Sequence, residues 1–152
     1  MSRLALAAAG ALAVAAGTIA AWEGMRNEPY RDPVGILTVC YGETEVRMRR
    51  YTDAECRAML ERRAAQFMEG VRIRNPEIAE FPKQWAAHTS FAYNVGLAAY
   101  GRSSVARLFE QGRQADACRF MGRYVYAGGR RLQGLANRRA AETKLCLEDA
   151  ES

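Results

Sequence analysis

The chain is poor in lysine and histidine, with only Lys83, Lys144 and His88, and none of its four cysteines forms a C-x-x-C pair. The missing C-x-x-C spacing disfavours a zinc site. A lone histidine in the apolar stretch Trp85–Phe91 reads as a packing or surface residue rather than a ligand or base. No internal repeat or low-complexity linker divides the 152 residues, so one domain with a substantial core is expected. Hydrophobic residues make up 49% and charged residues 26%, which excludes a disordered or fibrous chain. The net charge of +5 would draw the protein to acidic polymers such as nucleic acid, anionic lipid or bacterial wall, without choosing among them.

Charge is missing altogether from residues 4–22, LALAAAGALAVAAGTIAAW. The run falls within the roughly 17–25 residues that span a bilayer as a helix. Ten alanines and two glycines dilute three leucines, one valine and one isoleucine, so insertion is marginal. Arg3 precedes the run, while Glu23, Arg26, Glu28, Arg31 and Asp32 nearly cancel after it, which keeps the amino terminus cytoplasmic. Three readings follow from composition: a weak membrane anchor, an Ala-rich core helix, or a secretory signal cleaved near Ala20 and Ala21. The last fits the small residues there best.

With an export signal in front, Cys40, Cys56, Cys118 and Cys146 are expected to form disulfides rather than remain buried thiols. Cys40 lies in a strand-like run and Cys56 in the first turn of the next helix, so a local bridge would pin one to the other. Cys118 would then pair with Cys146. Residues Asn27–Thr44 read as a small hairpin, with Asp32-Pro33-Val34-Gly35 matching the preferences of a type I turn and placing Asp32 at an exposed edge. Thr52-Asp53-Ala54-Glu55 is a capping box ahead of apolar positions at helical spacing, predicting a helix over 53–69. Further helices are predicted over 84–95, from Ser103 or Ser104 to Gln111, over 115–123 and over 135–148, with a turn at Ala127-Gly128-Gly129. The chain is mainly helical.

Glu23, Asp32 and Thr38 stand in the pattern E-x8-D-x5-T. A carboxyl at a helix end and another on a facing hairpin can flank a scissile bond from opposite sides, as glycoside hydrolysis requires. Glu23, beside Trp22 and an apolar helix, is placed to hold a proton as general acid, and turn-exposed Asp32 to stay a carboxylate. Two acids at this spacing are, taken alone, more often solvated surface charges.

Trp22-Glu23-Gly24, Tyr30-Arg31-Asp32 and Leu37-Thr38-Val39-Cys40-Tyr41-Gly42 resemble the active-site stretch of bacteriophage-type lysozymes, glycoside hydrolase family 24. Ser90–Gly96 is similar to that family's central helix, and Tyr124–Arg130, Gly134-Leu135 and Arg138-Arg139 to its closing segment. The resemblance implies an α+β, lysozyme-like fold with a small β-hairpin lobe, a larger helical lobe and a cleft between them. It implies peptidoglycan as substrate, with Glu23 as proton donor, Asp32 as second carboxylate and Thr38 positioning water. No cofactor or metal is expected, and the chain is expected to act as a monomer. In the manner of the family's signal-anchor-release endolysins, residues 1–22 would tether the protein to the inner membrane before becoming a helix of the released enzyme, with 23–152 as the lysozyme domain. Membrane attachment would give way to a soluble periplasmic form. Many relatives carry His where this chain has Glu43, so a His-mediated ion pair is expected to be absent. Arg130-Arg131 and Arg138-Arg139 read as solvated faces, since basic runs without aromatic interleaving make a poor nucleic-acid surface. The competing class is a membrane-anchored, non-catalytic wall binder.

Overall fold

The computed structural model describes residues 2–150. Alanine is the strongest helix former, and the apolar run forms one helix, α1 (Arg3–Glu23), capped by the Ser2 hydroxyl, which accepts from the Ala5 N–H at 3.1 Å. Gly24 closes it. Ala11, Ala15 and Ile19 recur every four residues and are fully buried, the small alanines letting α1 lie close against its neighbours. Ala11 and Ala15 join the main core with Trp85, Ala86 and Phe91, while Ile19 packs with Leu60 and Ala64. Leu4, Leu6, Val14 and Trp22 stay exposed on the same helix.

The hairpin follows at once, β1 (Arg26–Arg31) pairing antiparallel with β2 (Leu37–Cys40), with Tyr30 opposite Thr38 and Arg31 opposite Leu37. The Gly35 N–H closes the turn on the Asp32 carbonyl at 2.9 Å, as the turn residues predict. After β2 the chain doubles back, Val39 and Glu43 exchanging both backbone hydrogen bonds at 2.9 Å.

The helical lobe begins with α2 (Asp53–Arg74), whose capping box forms as predicted: Thr52 accepts from the Glu55 N–H and Glu55 accepts from the Thr52 N–H. The helix runs past the expected end at 69 because Val71 is fully buried, which carries the apolar face one turn further. A short 3₁₀ turn at Pro76–Glu80 leads to α3 (Pro82–Val95), then α4 (Leu97–Arg102), α5 (Ser104–Glu110) and α6 (Gln114–Phe120). Helix α4 had no sequence signal of its own; a single glycine, Gly96, separates it from α3. Ser103 caps α5 by accepting from the Ala106 N–H.

A second, two-residue hairpin pairs β3 (Tyr126–Ala127) with β4 (Arg130–Arg131) through Gly128 and Gly129, both at positive φ, the conformation that tight hairpin turns demand and glycine supplies. The last helix is α7 (Gln133–Leu147). Helix α3 is the centre of the lobe, buried continuously from Gln84 to Ala92 and contacted by α1, α2 and α7.

Both disulfides join the expected partners. Cys40–Cys56 ties the end of β2 to the first turn of α2, and Cys118–Cys146 ties α6 to α7. His88 is a packing residue, fully buried on α3 with Nδ1 2.6 Å from the Tyr100 hydroxyl, and burial pushes its pKa down to about 3.

Candidate active site

Glu23 is the last residue of α1 and stands where the helical lobe meets the hairpin. Its Oε1 accepts from Arg138 Nη1 at 2.7 Å. Oε2 points to Gly42, where a Cβ would lie 3.6 Å from it at a φ of +84°, so the backbone there is open to the carboxylate. The sequence predicts apolar surroundings for Glu23, and the structure corrects this: a guanidinium is hydrogen-bonded to it.

Arg138 is itself held on three further atoms. Its Nη2 donates to the Ser90 carbonyl at 2.9 Å and to the Ser90 hydroxyl at 3.4 Å, and its Nε to Glu142 Oε2 at 3.2 Å, which also accepts from the Ser90 hydroxyl at 2.6 Å. Arg139 adds a second cation to the same acid, Nε lying 2.7 Å from Glu142 Oε1 but out of line for a hydrogen bond. Arg138 is 4% and Arg139 1% exposed, so the pair read as a solvated face is buried; Arg130 and Arg131 are exposed as expected. Helical spacing brings Arg138 and Arg139 to Glu142 at i+4 and i+3. Buried charges survive when paired in this way.

Asp32 is half-buried at the tip of the first hairpin. Its Oδ1 accepts from the Val34 and Ile36 N–H groups, both at 2.9 Å, which fixes the carboxylate within the turn. Thr38 is buried on β2 opposite Tyr30, and its hydroxyl donates to the Ile36 carbonyl at 2.9 Å. Asp32 and Thr38 thus meet at Ile36, on one hairpin, while Glu23 adjoins the base of that hairpin through Gly42.

Glu43 follows directly. It is 5% exposed, and Arg63 from α2 donates to its Oε2 at 3.3 Å. A His-mediated pair is absent here, as expected; Glu43 is instead itself the acid of an ion pair whose base comes from α2. Burial raises the Glu43 carboxyl above the usual range, with Arg63 opposing. Arg63 also stacks on Phe67 and Tyr93, and Tyr93 donates to the Tyr41 carbonyl at 3.2 Å. Burial, and then the nearby Glu43, push the Tyr93 hydroxyl up, so it stays a proton donor.

Nothing in the local sequence points to Ser90, Glu142, Arg63 or Tyr93 as members of this site. R-R-x-x-E at 138–142 was the one available signal, since it sets two cations and an acid on one side of a helix.

A SAR-endolysin of Bacteriophage PS119 is 39% identical to the chain over 132 residues, 82% of this chain and 76% of that one. The active form of P1 phage endolysin Lyz shares the fold at a TM-score of 0.79 and 23% identity, over 97% of this chain and 95% of its own. The secreted inactive form of the same endolysin matches at 0.54, over 68% and 74%. The phage lysozyme family model matches residues 20–142. That span opens three residues before Glu23 and closes on Glu142, enclosing the hairpin and the contact of Glu23 with Arg138. The chain belongs to the phage lysozyme family and is a glycoside hydrolase.

Proposed function

We propose that the protein is an endolysin cleaving the β-1,4 bond between N-acetylmuramic acid and N-acetylglucosamine in peptidoglycan. Glu23 gives its proton to the leaving glycosidic oxygen as the C1–O bond breaks. Asp32 takes a proton from a water on the opposite face of the sugar, and that water's oxygen forms the new bond to C1 with inversion. Arg138 engages Oε1, so Oε2, facing Gly42, carries the proton. Thr38 donates its hydrogen to the Ile36 carbonyl and presents lone pairs to the water, orienting it for attack. No cofactor enters these steps.

Residues 4–22 act first as a weak transmembrane helix and, after escape, as α1. The observation that carries this reading is the position of Glu23 at the end of that helix, bonded to Arg138 from α7. While α1 spans the inner membrane, Glu23 is held at its surface and away from Arg138 and Asp32, so the tethered form is inactive. Loss of the membrane potential favours release into the periplasm and assembly of the site. The higher TM-score with the active form of P1 Lyz, 0.79 against 0.54 with the inactive form, supports assigning the present structure to the released state.

The test is wall clearing by the purified soluble protein. Glu23→Gln keeps the contact with Arg138 but deletes the proton, and Asp32→Asn deletes the base. Each is expected to lose about 10²–10⁴-fold in rate with the fold unchanged. Near-native clearing by either variant would contradict the assignment, and binding of wall without release of fragments by the native protein would favour a non-catalytic binder.

A further inference from the structure

Away from Glu23, a groove of about 650 Å³ opens between α6, β4 and α7. Four cations line it: Arg119, Arg131, Arg139 and Lys144. Its lining includes no acid. Asp116 lies 3.9 Å from Arg119 and is already paired with Arg113 at 2.8 Å, and Glu142 reaches Arg139 Nε at 2.7 Å. Arg131 donates to Gln133 at 3.3 Å, and Lys144 has no ion pair among the described residues.

Arg139 is the decisive residue. It is 1% exposed, yet neither terminal nitrogen has a hydrogen-bond partner among the described residues. Glu142, the acid it pairs with, is shared with Arg138, and Glu23 acts on it from further off. A buried guanidinium with its terminal N–H groups unmatched is costly unless an acceptor comes to it. Val125, Ala136 and Leu147 supply an apolar floor beside the cations.

We propose that this groove binds a phosphate group. A phosphate offers several oxygens to converging guanidinium forks and an ammonium, which a single carboxylate cannot match. The apolar floor suits a phosphate carried on a lipid, with the headgroup on Arg139, Arg131 and Lys144 and the adjoining carbons on Val125 and Leu147. Such a contact would keep the released enzyme at the membrane face, a consequence that rests on the endolysin reading; phosphate binding itself does not.

The experiment uses the full soluble chain and two probes. Inorganic phosphate is titrated at fixed ionic strength while thermal unfolding is followed, and vesicles of phosphatidylglycerol with phosphatidylcholine, or of phosphatidylcholine alone, are used in co-sedimentation. The variants are Arg131→Ala with Lys144→Ala, both exposed and outside the catalytic site, and a charge-matched control, Arg47→Ala with Arg107→Ala. The native chain and the control are expected to bind, and the groove variant to bind at least tenfold more weakly. Because phosphate also stabilises proteins non-specifically, only the difference between variants counts. A groove effect with inorganic phosphate alone identifies free phosphate as the ligand; one with anionic vesicles identifies the lipid headgroup. Equal behaviour of the groove variant and the native chain with both probes overturns the proposal, as does an equal loss in the control.

Discussion

Arg138 Nη1 lies 2.7 Å from Glu23 Oε1, joining residues 115 positions apart. This bond ties the end of the apolar helix to the last helix of the domain, and Glu142 and Ser90 hold the arginine in place.

Glu142→Ala should be among the most damaging substitutions outside the hairpin. It strips the shared acid from two buried arginines, for which a cost of about 3–5 kcal/mol is expected. Urea denaturation measures it; a loss below about 1 kcal/mol would show that the arginines do not depend on Glu142.

Reduction should destabilise both lobes. The bridges separate residues by 16 and 28 positions, and chain entropy assigns them roughly 3 and 3.5 kcal/mol. Cys40→Ser with Cys56→Ser, and Cys118→Ser with Cys146→Ser, should each lower the urea midpoint, the second pair slightly more.

His88 sets a pH dependence. In the folded protein burial holds its pKa at about 3, while in the unfolded chain it protonates near 6.5. The unfolded state therefore binds the extra proton between these values, so this contribution is complete above 6.5 and lost as pH falls toward 3. The slope is about 1.4 kcal/mol per pH unit. Glu43 acts in the opposite sense, its raised pKa favouring the folded state as that carboxyl protonates. Between about pH 5.5 and 4.5, where the unfolded imidazole is almost fully protonated and the buried one is not, His88→Asn should flatten the stability curve by nearly the stated slope, whatever its absolute stability; an unchanged slope would contradict the assignment.

Gly10 and Gly17 separate membrane behaviour from folding. A Cβ at either meets nothing within 4 Å, so the folded enzyme has no packing need for glycine there. Leucine at both positions should leave the rate of the soluble form within about twofold, since apolar substitution at an exposed site changes little. It should strengthen insertion and delay release. Unaltered release, measured by fractionation after depolarisation, would separate α1 from membrane retention.

Local signals in the chain account for the hairpin, the capped start of α2 and both disulfides, because turn chemistry, a capping box and neighbouring elements are written in short stretches. The environment of Glu23 was not legible. Its partner Arg138 is distant in sequence, and an Arg-Arg pair on a helix looks the same whether it faces water or a buried glutamate. The same limit applies to Glu43, whose place as an ion-pair acid depends on Arg63 arriving from α2. The apolar run was ambiguous for another reason: alanine serves a weak membrane helix, a cleaved signal and a close-packed core helix equally well. The fully buried positions Ala11, Ala15 and Ile19 show how this helix packs in the folded domain.

In the function proposed above, one segment, residues 4–22, serves as membrane anchor and as the helix that delivers Glu23. Intact mass spectrometry of the soluble, wall-clearing protein recovered after depolarisation tests it most directly. Residues 4–22 are expected to be still present, and the membrane-bound form, of the same mass, to be inactive. An active soluble species lacking about twenty amino-terminal residues would contradict it.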